Sequence, residues 1–257
     1  MMSLSASRLD TRRVGEYGHY VAALPQLVED VCTFLSVDAR QYIDELSSID
    51  REGQGVHPEE AAMLYLLVRA LQPQSVLETG TYKGYSTSEI ARAIKLNGSG
   101  HLVTVDIAAD TGSAVPQELI TYISFERERP SRLYAEKLKS ENRKIDFFFH
   151  DSLHTYMNTL GELIWFADSY ADGATLVCHD AKMDFMDGFG VGKAVRRFAA
   201  ALGLKYRVLD TTCGLALLKW DKGISAAALQ GMREEHEALQ RREHPNRFRR
   251  LMGRLAR

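Results

Sequence analysis

The chain has 257 residues, 45% hydrophobic and 26% charged, ordinary globular proportions that allow a sizeable core and exclude a wholly disordered chain. Its 32 basic and 34 acidic residues leave a formal net charge of −2, too small to draw nucleic acid or an anionic membrane by overall field. At about 150 residues per domain, the length suits one domain with attachments: an N-terminal helical layer over 1–55, a central domain over 56–221 and a C-terminal basic helical extension over 222–257.

Cys32, Cys178 and Cys213 are widely spaced and form no C-x-x-C pair, so neither a disulfide framework nor a thiolate zinc site is expected. The opening MMSLSASRLDTRR lacks the apolar core of a signal peptide. The apolar run near Ala61 to Val68 is far short of the ~20 residues that span a bilayer. The expectation is a cytoplasmic protein without membrane insertion.

Residues 19 to 50 carry apolar positions at mostly helical spacing and predict one or two amphipathic helices. Gly53, Gly55 and Pro58 interrupt them. Pro58 followed by Glu59 and Glu60 suits a helix start, with acid at the positive end of the dipole, and this helix is expected to run to about Ala70. Short β-branched runs then alternate with helical stretches, the pattern of a parallel α/β sheet. The predicted strands are Ser75 to Thr79, Leu102 to Ile107, Ile120 to Phe125, Ile145 to His150, Ala174 to His179, Tyr206 to Leu209 and Gly214 to Trp220. The last two are too close for a crossover helix, so the sheet should end in a reversed strand. The fold class is therefore α/β, a Rossmann-like seven-stranded, mostly parallel sheet with helices on both faces. From Arg241 the chain carries seven arginines and one glutamate, with Phe248, Leu251, Met252 and Leu255 at roughly helical spacing. A helix docked on its own domain or on a partner subunit is the simpler reading of this tail, and an anionic or nucleic-acid contact the other.

The most informative segment runs from Val76 to Glu89, VLETGTYKGYSTSE, a strand ending in a glycine-bearing loop that opens a helix. Gly80 and Gly84 allow backbone angles closed to other residues and a close ligand approach. Free N–H groups at the helix start suit a carboxylate or phosphate. Ser86 and Glu89 also match a capping box. The loop lacks the third glycine of the dinucleotide fingerprint. Its E-x-G-x-x-x-G-Y-S form resembles motif I of class I S-adenosylmethionine-dependent methyltransferases, particularly catechol and caffeoyl-CoA O-methyltransferases. That resemblance covers about residues 53 to 220, and the lead-in from Gly55 to Glu60 is similar to the gating segment of this branch. It implies S-adenosylmethionine as cofactor, held by Glu78, Gly80, Thr81, Gly84, Ser86 and, at the ribose, Asp106. An acid at Asp106 also suits a nicotinamide dinucleotide.

A second constellation lies where ligands sit in open α/β folds: Asp151, His154 and Tyr156 after one strand, Cys178, His179 and Asp180 after the next. Aspartates that end strands often only cap the next helix, and His150 is expected to face away from Asp151. The D-x-x-H spacing resembles the macrocin and mycinamicin type of sugar O-methyltransferase. That resemblance implies Asp151, His179 and Asp180 as ligands of a divalent metal, magnesium or manganese, and His154, with Asp151, as the catalytic pair, His154 being the general base. His179 stands where that family carries Glu, and imidazole suits manganese, iron, cobalt or zinc better than magnesium. Against the Asp-Asn pair of the catechol branch, Ala181 lacks a ligand.

The functional expectation is an O-methyltransferase acting on a small-molecule hydroxyl of a glycoside, polyketide or catechol-like acceptor, with Lys182 to Gly190 as candidate acceptor wall. A homo-oligomer is expected through the apolar face of the N-terminal helices, and nucleic acid is not expected as a partner. The alternatives are a nicotinamide-dependent oxidoreductase, a non-catalytic cofactor-binding subunit and an RNA methyltransferase recruited by the basic tail.

Overall fold

The computed structural model describes residues 18–48, 55–221 and 223–243. Two N-terminal elements, the helix α1 (Gly18–Leu35) and a 3-10 segment (Arg40–Ser48), lead to α2 (Pro58–Leu71). There follow β1 (Ser75–Thr79), α3 (Tyr85–Asn97), β2 (His101–Val105), β3 (Ile123–Glu126), α4 (Ser131–Ser140) and β4 (Ile145–His150). The chain continues through α5 (Tyr156–Trp165), β5 (Tyr170–Cys178), α6 (Val191–Leu202), β6 (Tyr206–Leu209), β7 (Leu215–Lys219) and α7 (Ala226–Glu243).

The strands form one seven-stranded sheet in the order β3-β2-β1-β4-β5-β7-β6. β1 pairs in parallel with β2 and β4, and β4 with β5, while β7 runs antiparallel to both β5 and β6. The reversed strand follows from the short link between Leu209 and Leu215, too short for a crossover helix.

Strand alternation divides the core between the two faces. In β4, Phe147 and Phe149 enter the cluster built with α1, α2 and α3, whereas Phe148 enters the cluster built with α4 to α7, joined there by Ile145 from beyond the irregularity in the β4–β5 pairing. Leu24, Val28, Val31 and Leu46 of the N-terminal segment share the first cluster with Val76 and Ile90, so this layer completes the core of the sheet domain. On the opposite face α7 docks through buried Leu229, Met232 and His236, whose Nε2 lies 2.9 Å from the Met157 carbonyl oxygen. The basic stretch containing Phe248, Leu251, Met252 and Leu255 lies outside the described residues.

Three strand boundaries differ from the sequence pattern by two residues or more. Gln117–Tyr122 winds as a 3-10 turn after Pro116, so β3 begins at Ile123 rather than Ile120. β2 stops at Val105 because the Asp106 carboxylate accepts the Ala108 N–H at 2.9 Å and turns the chain, leaving Ile107 exposed. β5 starts at Tyr170, its pairing with β4 passing through an irregularity between Ile145 and Phe147. No helix among the described residues is long and apolar enough to cross a membrane.

Candidate active site

A cleft of about 230 Å³, several times the roughly 30 Å³ share of one water, opens at the carboxyl ends of β1, β4 and β5. Gly80, Thr81, Tyr82, Gly84, Tyr85 and Ser86 line one side, and Asp151, His154, His179, Asp180 and Cys213 the other, with Gly55 and Val56 across the mouth.

The loop after β1 is held from beneath. Glu78 is fully buried and lies outside the cleft lining, and its carboxylate accepts the hydroxyls of Ser86, Thr87 and Thr104, each at 2.6 Å. Burial pushes its carboxyl up to about 7, the three hydroxyls working the other way. Glu78 therefore ties β1 to the first turn of α3 and to β2. Ser86 makes no capping box: the N-cap is Gly84, at φ +93°, and the Ser86 hydroxyl is given to Glu78. The two glycines serve chain packing. A Cβ on Gly80, at φ +91°, would stand 2.1 Å from the Asp151 carbonyl oxygen, and one on Gly84 would stand 2.4 Å from Val115. Thr81 is buried, its hydroxyl 2.6 Å from that of Thr104. Asp106 is not in the lining but fixes it, accepting the Tyr82 N–H at 3.0 Å.

The acid–imidazole cluster forms because β4 and β5 are neighbours with His150 paired to Cys178, which sets Asp151 beside His179. Asp151 Oδ1 lies 3.2 Å from His154 Nε2 and 2.9 Å from His179 Nδ1. Asp180, in the left-handed region at φ +61°, places Oδ2 3.3 Å from His154 Nδ1. The His154 ring stacks on Phe189, 5.4 Å between centroids and 12° between planes. Burial works to raise the Asp151 carboxyl, and His179 and His154 outweigh it, holding it below the usual range. Burial works to lower the His179 ring, and Asp151 and Glu60 carry it well above its ordinary value. His150 faces away, as its strand position requires. It is fully buried, with Nδ1 2.7 Å from Glu162 and Nε2 2.9 Å from the Thr159 hydroxyl. Glu162 also accepts the hydroxyls of Thr79 and Ser152, so a second carboxylate locks the floor under the cluster. Tyr156 opens α5.

Glu60 adjoins this site, and the sequence marks it as a helix-dipole acid and as the end of the lead-in segment, not as a partner of His179. It is fully buried on α2, and its Oε2 lies 2.7 Å from His179 Nε2. It also accepts the N–H groups of His57 and Cys213, at 3.0 and 2.8 Å, and the Thr211 hydroxyl at 3.0 Å. Its neighbour Glu59 accepts the Thr212 N–H at 3.0 Å. These adjacent acids tie α2 to the loop between β6 and β7.

Asp151, His154 and His179 each bring a ligand atom within 4.8 Å of the others, a spacing that could hold a metal ion. Asp151, His179 and Asp180 are brought together as the sequence suggested, but both ring nitrogens of His179 face carboxylate oxygens, which only accept. The Cys213 thiol is pushed up to about 12 by burial and the surrounding carboxylates. Two carboxylates on the lining, Asp151 and Asp180, make an electrostatic setting that suits a cationic ligand such as a sulfonium.

Residues 77–181 match the family model of a methyltransferase domain. With the sheet order and reversed β7, this defines the class: the chain carries a class I S-adenosylmethionine-dependent methyltransferase domain. An O-methyltransferase from Bacillus cereus, solved with SAH, has 18% identity and a TM-score of 0.54, with 76% of this chain and 97% of that one covered. TomG from Streptomyces achromogenes, an O-methyltransferase involved in tomaymycin synthesis and solved with SAM, has 19% identity and a TM-score of 0.53 over 86% of this chain and all of that one (100%). A putative caffeoyl-CoA O-methyltransferase from Staphylococcus aureus has 12% identity and a TM-score of 0.52 over 76% and 98%. At these identities the likeness speaks for the fold. No curated protein sequence matches the chain significantly.

Proposed function

We propose that the chain is an S-adenosylmethionine-dependent O-methyltransferase whose acceptor is a small-molecule hydroxyl. The observation that carries this reading is the continuity of one cleft, glycine loop on one side and the Asp151–His154 pair on the other. Bound S-adenosylmethionine supplies a sulfonium methyl and leaves as the neutral thioether. Gly80, Thr81, Gly84 and Ser86 would shape the loop side of its seat, with Glu78 bracing the loop from beneath and Asp106, the acid expected to take the ribose, holding the Tyr82 N–H.

An alcohol is a poor nucleophile at neutral pH, so the protein must align it and take its proton. His154 is the catalytic base. Its Nε2 is oriented by Asp151, and Nδ1, which faces Asp180 Oδ2 at 3.3 Å without hydrogen-bond geometry, receives the hydroxyl proton as the oxygen lone pair forms the new C–O bond and the C–S pair returns to sulfur. Asp151 and Asp180 flank the imidazolium that results, and the Phe189 ring fixes its plane. A base so placed is worth about 10²- to 10⁴-fold. Exposed Phe185 and Met186, near Phe189 in the chain, and exposed Leu153, next to His154, favour an acceptor with an apolar or aromatic body. Lys182 turns away from such a body, bonding Asp210 and the Thr211 carbonyl.

Titration calorimetry with S-adenosylmethionine, followed by labelled-methyl transfer to a panel of phenols, glycosides and polyketide alcohols, tests the reading. Saturable heat and an ether product are expected. No heat at millimolar ligand with the protein folded overturns the reading, and cofactor binding without transfer to any hydroxyl points to a non-catalytic subunit instead.

A further inference from the structure

The buried carboxylate Glu60 has no part in the reaction as drawn above, yet it is the most fully satisfied acid of the cleft. A carboxylate offers about four lone-pair sites. Glu60 has four donors directed at it: the His57 and Cys213 N–H groups, the Thr211 hydroxyl and His179 Nε2. It has no site left for an ion, and three of its donors come from backbone or loop groups that cannot follow it elsewhere. It is a fixed anchor aimed at one ring.

That ring lies between two acceptor-only groups, 2.7 Å from Glu60 and 2.9 Å from Asp151. Each nitrogen must then donate, and a ring that donates twice has no lone pair for a metal. Removing His179 from a ligand set of Asp151, His179 and Asp180 leaves two carboxylates, each with one oxygen already facing a nitrogen of His154. The same ring meets Asp151 through the oxygen that orients His154.

We propose that Glu60 is a positioning residue that clamps His179 against Asp151, occupying both of its ring nitrogens, so that methyl transfer runs without a divalent metal. The order of support is Glu60 to His179 to Asp151 to His154. Glu60 and His179 touch no reacting atom; they set where Asp151 holds the base. The proposal uses the methyltransferase reading for its kinetic readout only, since metal binding is measured apart from turnover.

The experiment titrates Mn²⁺ into the full-length protein, wild type and His179→Glu, and follows free ion by electron paramagnetic resonance. Wild type is expected to leave the ion free at equimolar, submillimolar concentrations, and His179→Glu, which restores an oxygen ligand, to bind it. Nitrogen-15 spectra of ring-labelled histidine should show two N–H groups on His179 in wild type and one in Glu60→Gln. In the transfer assay, excess chelator should leave wild-type kcat unchanged. Glu60→Gln should lower kcat by ~10- to 100-fold, the usual loss when an outer partner that orients a working group is removed, with the S-adenosylmethionine Kd unaltered. Stoichiometric Mn²⁺ binding by wild type, or activity abolished by chelator and restored by the ion, overturns the proposal even if Glu60→Gln does not fold. Absence of cofactor binding strikes the methyltransferase reading instead and leaves the metal titration standing.

Discussion

Adding one methyl group to Gly80 should disturb the cofactor loop and the catalytic carboxylate together. In Gly80→Ala the new Cβ meets the Asp151 carbonyl oxygen at 2.1 Å, its carbon at 2.5 Å and Ser152 N at 2.8 Å, all backbone atoms that cannot swing aside. The residue also sits at φ +91°. Positive φ costs an L-residue about 1–2 kcal/mol and overpacking a tight site about 1–3 kcal/mol, together about 2–5 kcal/mol. For a chain of this size each kcal/mol moves Tm by roughly 2–4 °C, so a fall of about 4–20 °C is expected. Gly98→Ala is the control: it has similar strain at φ +71° but nothing within 4 Å of the added carbon, and should lose about 1 kcal/mol. The two melts, read by circular dichroism, separate strain from clash. The clash is relieved only by moving the end of β4, so kcat of Gly80→Ala should fall with the melting temperature. Equal melting temperatures for the two variants, or full activity in Gly80→Ala, would refute the coupling.

Two further outcomes follow from the site. His154→Gln should lower kcat by about 10²- to 10⁴-fold with the calorimetric Kd for S-adenosylmethionine unchanged; a parallel loss of affinity would move His154 from the base role to the cofactor seat. For Glu78, burial raises the folded-state carboxyl from its usual 4.5 to about 7. The favourable contribution is therefore full below pH 4.5 and lost as pH rises through about 7, a difference of about 3 kcal/mol at 1.36 kcal/mol per pH unit. Urea unfolding at pH 4.5, 6 and 8 should show wild-type stability falling relative to Glu78→Gln by that order, and identical pH profiles would contradict it.

Much of the architecture was legible because it is written in local periodicity. The boundaries of Ser75–Thr79, Ile145–His150 and Tyr206–Leu209 follow from apolar runs closed by turns, and the reversal of β7 from a link too short to cross over. Asp151, His154, His179 and Asp180 were legible as a group because adjacent parallel strands end at one edge. Their internal bonding was not, since it depends on Glu60, which lies far away in sequence and reaches His179 only once α2 packs beside the sheet. Ser86 misled for a related reason. Its spacing to Glu89 satisfies a capping pattern, but a buried carboxylate from the preceding strand competes for the hydroxyl and wins. The glycines that the sequence singled out, Gly80 and Gly84, both take positive φ, and the atoms they make room for belong to Asp151 and Val115.

The backbone of Asp180 narrows what mutation can do there. Held at φ +61°, it occupies a conformation that short polar side chains and glycine tolerate and branched ones resist. Inherited change at this position is thereby funnelled toward asparagine or glycine. The first trims the charge facing His154 while keeping an oxygen, and the second erases the group. Glutamate, the exchange that chemistry alone would favour, is disfavoured by the bend in the chain. Lineages descending from this protein should therefore differ at Asp180 in charge far more readily than in length.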